Sequence, residues 1–600
     1  MTFTRYELTI PVELTSELHI GGVDEVPERD GEGTVIRFNR NGRKEPTIPG
    51  RSIRGAVRAA CDIARQAMKD TGDPATQNGE AFSKENWISL WGDDTDYTGK
   101  SLLDRRLRSD DSLPIRQSAL TFHAVSFPEY KDSDSGESPL PRRHGVGIDR
   151  TTGAASDGAL YEHEFLPRGT RFTIRITAEG RDGETMENKQ SEGIPGPAPS
   201  DSVKKLLKVI VDVLASGAVC LGGRTGSGQG TIQVIEPKLR STGKTTDAGA
   251  LTAPADVLDA LIGEDEEGTP IPLELGGWSL QEPARIRITW WSPTGIFVAE
   301  DQELTDRRKE EAQKKNPEAN GVTEPLRDPS VAWDEAQLLI PGTSIRGALR
   351  SRASRIARTV LAARDELSAL TSHDLHEQIA AEPNLVRYMF GSTEYRGAVT
   401  VYDCLSTKRG KRIEVTHNAI DRWTGGVIDG GLFTEAVYLG THWEPITINI
   451  DLRQLLNNIE AEKGPEDREQ SKPSHADYAH AAYVLLGLVL AELSAGTLPL
   501  GSRSTRGLGQ VVVTTIELEG ADRKGVDLPS WNFTGCEALQ QPATGAGVMT
   551  DALYKGQREL AGRILQHLKD KYDGTDWSKH LENGPGAARK QSEGTGAADD

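Results

Sequence analysis

The chain has 600 residues, 36% hydrophobic and 27% charged, with 63 Gly and 31 Pro; at roughly 150 residues per domain that means several loop-rich globular units, not one small module. Seventy basic against 90 acidic residues give a formal charge of −20, which argues against a free-standing nucleic-acid binder, because such modules carry a net basic field. No stretch approaches the ~18 uninterrupted apolar residues of a membrane helix, and MTFTRYELTI lacks a signal-peptide pattern. The cysteines, Cys61, Cys220, Cys404 and Cys536, form no CxxC pair or zinc-spaced cluster, so a cytoplasmic protein without disulfides or structural zinc is expected.

Alternation over Tyr6–Ile20 predicts an opening strand that runs into a long polar loop. An IPG turn then starts a helix over Ser52–Met68. A strand over Arg171–Thr177, a disordered insertion over Arg181–Ser202 and a helix over Val203–Ala215 follow, and a Gly/Arg loop leads to a last strand over 231–235. Residues 238–282 have a linker's composition, with a short helix possible over Pro254–Leu261. From residue 283 the pattern recurs: strand Arg285–Val298, helix Ser344–Ala362, strands Ala398–Asp403 and Ile446–Ile450, helix Tyr478–Ala495 and strand 510–518. The order β-α-β-β-α-β predicts an α+β chain of two tandem ferredoxin-like or RRM-like domains, residues 1–237 and 283–519. Residues 520–600 form an extension belonging to neither, with a helix at Asp551–Tyr572 and a disordered end.

The recurrence is visible in letters as well as pattern. Ile48–Arg58 reads IPGRSIRGAVR and Ile340–Arg350 reads IPGTSIRGALR, nine identities in eleven; GIDRTTGAA at Gly147 matches AIDRWTGGV at Ala419, and LGGRTGSGQG at Leu221 matches LGSRSTRGLG at Leu500. Offsets of 292, 272 and 279 residues describe one domain present twice with different loop lengths.

Chemically, loops that open with Arg224 or Arg503 and continue through Gly226 and Gly228, or Arg506 and Gly507, let backbone amides approach a phosphate. Helices that begin at Arg51 and Ser52, or at Ser344, carry Arg54/Arg58 and Arg346/Arg350 at i, i+4 spacing, which offers free N–H groups and guanidiniums to a phosphate backbone, the lesser alternative being a solvated arginine face paired with acids. No GxGxxG follows a strand and no GxxxxGK[ST] occurs, so nucleotide-binding folds have no support.

A strand ending in LHIGG, an acidic loop, the IPG-x-S-I-R-G motif, the IDR-x-TG hairpin and the closing Gly-rich loop together resemble the RAMP superfamily, and more narrowly the backbone subunits of type III CRISPR effector complexes. The resemblance covers residues 5–237 and 283–519. It implies an RRM-derived palm in each copy and a β-hairpin thumb carrying Ile148, Asp149, Arg150 and Thr152, or Ile420, Asp421, Arg422, Trp423 and Thr424. It further implies guide RNA held by the helix and Gly-rich loop, a target RNA paired to it, and as partners a large polymerase-like subunit, small subunits and further RAMP subunits.

Enzymatic members of that family cut target RNA with an aspartate in a D-x-P-[VI] loop before the IPG turn. Asp328-Pro329-Ser330-Val331 resembles that loop in copy two; in copy one Asp30 is the substitute, ranked above Asp24 and Glu32. The implied reaction is attack of a ribose 2′-OH on its own phosphate, with a divalent metal, Mg²⁺, held by Asp328 and by Asp30. His144, His417 and His19, and the aromatics Trp423, Phe433 and Tyr161, are secondary candidates for RNA contact. Two other readings stay open: a guide scaffold without catalysis, and a metal-independent endonuclease for guide precursors. No HD pair or GGDD motif supports a DNase or a cyclic-oligonucleotide synthase.

Overall fold

In the computed structural model, residues 2–22, 28–30, 33–71, 87, 90–92, 118–182, 199–244, 269–273, 283–300, 306, 310, 313–314, 321–331, 335–367, 374–462, 474–523, 526–540, 549–572 and 576–584 are described. Asp24, Glu32, the short helix expected at 254–261, most of the insertion (183–198) and the end of the chain (585–600) lie outside them.

The first unit begins with β1 (Thr2–Leu14), whose alternate residues Tyr6, Leu8, Ile10, Val12 and Leu14 are buried, as a half-buried strand requires. It continues through α1 (Gly50–Thr71), β2 (Leu120–Phe122), a hairpin of β3 (Arg142–Ile148) and β4 (Ala155–Glu164), β5 (Arg171–Asp182), α2 (Ser200–Ala215), β6 (Ile232–Val234) and β7 (Lys238–Lys244). β1 is central: it pairs antiparallel with β5 on one side and with β6 and β7 on the other, and β2 adds outside β5. Lys238–Lys244, assigned to the linker on composition, is thus an inner strand of the first sheet, and Thr269–Ile271, from the same linker, pairs antiparallel outside it.

The second unit repeats this course with β8 (Ala284–Ser292), α3 (Gly342–Ala363), two short helices α4 (Leu375–Ala380) and α5 (Asn384–Phe390), β9 (Val399–Val401), a hairpin of β10 (Lys411–Ile420) and β11 (Val427–Leu439), β12 (Ile446–Ile450), α6 (His475–Ser494) and β13 (Val512–Glu519). The strand order β13–β8–β12–β9 matches that of the first sheet. The chain after Glu519 is not set apart from this unit. β14 (Trp531–Thr534) pairs with β13, and α7 (Asp551–Tyr572) buries Leu553, Leu560, Ile564 and Leu568 in the second core.

Each unit has its own apolar core. α6 is long and apolar enough by length and composition to cross a membrane, yet 72% of that stretch is buried, and Tyr478, Leu485, Leu486, Val489 and Leu490 belong to the second core. Ser474 opens it with a reciprocal cap, accepting from Asp477 N while its own N–H donates to Asp477 Oδ2 at 2.8 Å. The repeated IPG turn has a steric cause. A Cβ on Gly50 would lie 2.0 Å from Phe122 O, and one on Gly342 2.3 Å from Val401 O, so each helix start sits directly on a strand carbonyl.

Candidate functional site

The motif arginines of the helices are spent largely on protein. Arg54 donates to Trp91 O and Arg346 to Phe390 O at 2.6 Å, so in both units the first arginine binds the last carbonyl of a short segment ahead of a glycine. Arg58 lies near Asp62 and over the Trp91 ring; Arg350 holds Glu382 at 2.5 and 2.7 Å. Burial, with Arg350 beside it, pushes the Arg346 guanidinium down to about 10. Arg51 and Ser344 are exposed and Ser52 is half-buried, leaving the helix N-termini as the accessible part of this set.

The Gly-rich loops share a shape. Arg224 (φ 58°) and Arg503 (φ 63°) are left-handed, a single 3₁₀ turn follows, and Gly228 (φ 74°) and Gly507 (φ 87°) end it. Their surroundings differ. The first loop packs on the second unit: a Cβ on Gly228 would lie 2.7 Å from the Tyr402 ring, and one on Gly226 would lie 3.6 Å from the Arg346 guanidinium. The second loop is open at Ser504, Thr505, Arg506 and Gly507, while Arg503 pairs with buried Glu435 at 2.6 Å.

In both hairpin tips the aspartate caps the turn. Asp149 Oδ1 accepts from Thr151 N and Thr152 N, and Asp421 Oδ1 from Trp423 N and Thr424 N; the latter pair holds the Asp421 carboxyl below its ordinary range. The first tip rests on the second unit, where Arg150 N donates to Gln378 at 2.8 Å and its guanidinium reaches Glu382 at 3.3 Å. In that tip Ile148 is exposed. In the second tip Ile420 is exposed and Trp423 is 98% exposed. His144 pairs with Glu162 and His417 with Glu435, each at 3.2 Å; His417 lies 5.1 Å from the Phe433 ring, and Arg224 stacks on Tyr161 at 4.6 Å. His19 is buried against Glu164 O, and burial lowers its pKa.

Asp328 stands in a cavity of 330 Å³ between the units, lined from the first by Ser16, Glu17 and Arg143 and from the second by Asp328, Tyr402 and Asp403. It is 9% exposed; Oδ1 accepts from Ser330 N at 2.9 Å, and no hydrogen bond to Oδ2 occurs among the described residues. The matching residue in the first unit is Asn41, not Asp30. Asn41 N donates to Glu45 O as Asp328 N does to Gln337 O, and Asn41 Oδ1 accepts from Arg43 N as Asp328 Oδ1 does from Ser330 N. The arginines just before them, Arg40 and Arg327, make the same isolated bridges. Asp30 ends a short strand, Glu28–Asp30, paired to Gly33–Ile36, and its side chain lies outside the described residues. Val35 and Ile36 match Val322 and Thr323, each pair lying parallel to the second strand of its hairpin, so Asp30 stands well ahead of the position that corresponds to Asp328.

Arg143 joins the units, donating to Glu17 at 2.6 Å and to Asp403 at 3.0 Å, while Asp403 Oδ1 accepts from Gly342 N at 2.7 Å. Burial pushes the Glu17 carboxyl up to about 8 against the opposing pull of Arg143; Asp403 and Asp328 add to the rise. Repeat comparison misses all three, because Gly295, Val415 and Ala124 hold the corresponding places. The assignment of Gly295 rests on hydrogen bonds: Glu17 O accepts from Gly230 N as Gly295 O does from Gly509 N. For metal binding, no group of three His, Cys, Asp or Glu side chains converges among the described residues. The free oxygen of Asp328 fits only an ion that keeps most of its water.

No curated protein matches the chain. The RAMP superfamily matches it over residues 12–233 and 338–512, one region in each unit. The chain therefore belongs to the RAMP superfamily as a double RAMP protein, with the CRISPR-associated, RNA-binding role which that membership carries.

Proposed function

We propose that the chain is a fused double backbone subunit of a type III CRISPR ribonucleoprotein, each unit a ferredoxin-like palm with a hairpin thumb, holding guide RNA and cutting paired target RNA at Asp328. The sheet order shared by both units, with the first Arg-Gly loop packed at the helix start of the second unit, supports the guide-binding half. The observation that carries the cutting half is Asp328 itself: a carboxylate with one oxygen fixed and the other free, in a cavity between RNA-binding units.

In this reading Asp328 orients the ribose 2′-OH or takes its proton, and the fixed backbone around it holds oxygen, phosphorus and leaving oxygen in line. A largely hydrated Mg²⁺ on Asp328 Oδ2 would neutralise the phosphate. Trp423, exposed at the second tip, would stack on an unpaired base. The −20 charge is compatible with RNA binding if acidic surfaces face solvent or basic partner subunits. The partners are guide RNA, target RNA and the other effector subunits, in the cytoplasm.

The test is cleavage of a guide-matched, labelled RNA by the guide-loaded complex with Mg²⁺. Asp328→Ala should remove cleavage and leave target binding intact. Unchanged cleavage would move the chemistry elsewhere and leave a guide scaffold. Processing of repeat RNA by the isolated chain without metal would instead make it a precursor endonuclease.

A further inference from the structure

Three ionisable side chains meet at the junction in a form the fold does not itself need. Arg143, at the root of the first hairpin, is 4% exposed and bridges Glu17, also 4% exposed, and Asp403 of the second unit. Each acceptor is anchored in turn: Glu17 O receives Gly230 N of the first Gly-rich loop at 2.7 Å, and Asp403 receives the first N–H of α3. One guanidinium thus ties the first hairpin, the loop after β1 and the first Gly-rich loop to the helix start of the second unit. The same architecture places Val415, Gly295 and Ala124 at the matching positions. Buried ion clusters of this kind are rarely a source of net stability, since desolvation offsets their attraction and apolar replacements of the whole cluster are often neutral or stabilising. What the cluster does supply is a fixed distance and direction, because a planar guanidinium fork holds two carboxyl groups in one geometry.

All three residues line the cavity that contains Asp328. We infer that Arg143, acting through Glu17 and Asp403, is a positioning residue of the Asp328 site, so that the first unit forms one wall of the centre whose carboxylate the second unit provides. This rests on the reading that Asp328 cleaves RNA. Misplacing a reacting group by about 1 Å costs about 100-fold in rate, which sets the expected size of the effect.

The experiment replaces the whole cluster with the chain's own alternatives, Glu17→Gly, Arg143→Val and Asp403→Ala, in the full-length, guide-loaded complex. Cleavage of matched RNA is measured at saturating and subsaturating target, with thermal unfolding alongside. The expected result is a Tm close to the parent's, an unchanged KM and a kcat lower by about 100-fold. Parental kcat overturns the inference, and so does a loss confined to KM, which would make these residues RNA contacts. Should the triple variant not fold, Arg143→Lys keeps the charge but lacks the planar fork that fixes both carboxyl groups in one geometry; kcat should fall about tenfold at constant KM, and parental kcat again overturns the inference. Asp328→Ala is run beside both. If it still cleaves, the cleavage reading fails and the positioning role falls with it; if it is dead while the triple variant turns over normally, only the positioning role falls.

Discussion

The two units share strand order and motifs, yet their hairpins and Gly-rich loops stand in different environments. The first tip and loop rest on the second unit through Arg150, Gln378, Glu382 and Tyr402, whereas the second tip exposes Trp423 and the second loop exposes Arg506 and Gly507. The same letters therefore serve two ends: at the junction they make a protein contact, and at the far side they remain open to a ligand or another subunit. A motif's presence tells where such a surface is, and the neighbour decides what it does.

The largest stability effect should come at the junction. Arg143→Ala leaves Glu17 and Asp403 without their shared cation and should cost about 3–5 kcal/mol in denaturant unfolding, whereas Val415→Ala, at the matching place and half-buried, should cost about 1 kcal/mol or less. A smaller loss at Arg143 would mean that water reaches the pair.

The pH response of Glu17 sharpens the same contrast. Its folded pKa, about 8, lies above the ordinary 4.5, so the folded state holds a proton that the unfolded state has released. Its contribution is full below about pH 4.5 and is lost as pH rises toward 8, at up to about 1.4 kcal/mol per pH unit. Glu17→Gln should flatten this slope in unfolding curves recorded between pH 5 and 8. An unaltered slope would place the titration on another group.

The smallest effect expected is at the open tip. Trp423→Ala should change stability by no more than about 0.5 kcal/mol, while weakening RNA binding by about 1–3 kcal/mol if the indole stacks on a base. Equal binding by parent and variant would assign the open tip to protein contact instead.

The tandem architecture was legible because repetition and periodicity are local signals: Asp551–Tyr572 is helical over the residues expected, and the IPG turns start both long helices. The start of α6 was missed by three residues because its apolar pattern begins after the Ser474–Asp477 cap. The extension's place in the second core was not legible, since its pairing with β13 and packing on α6 depend on chain far away in sequence. Asp328 could be found from a resemblance, but its counterpart could not. Asn41 carries no motif letter, and only the shared hydrogen bonds to Glu45 and Gln337, and to Arg43 and Ser330, reveal the correspondence. Glu17, Arg143 and Asp403 were invisible for a related reason, being the places where the copies diverge.

That divergence also bears on chemistry. Asn41 uses its amide to bind Glu45 and Ser126 and cannot act as a carboxylate base, whereas Asp328 keeps one oxygen free. The most direct test is to map the products of matched RNA for the parent, for Asp328→Asn, which installs the side chain of the first unit, and for Asp30→Ala. The account predicts one cleavage position per chain, lost in Asp328→Asn by at least about 100-fold and retained in Asp30→Ala. A second product that survives Asp328→Asn and disappears in Asp30→Ala would contradict it, giving the first unit a centre of its own.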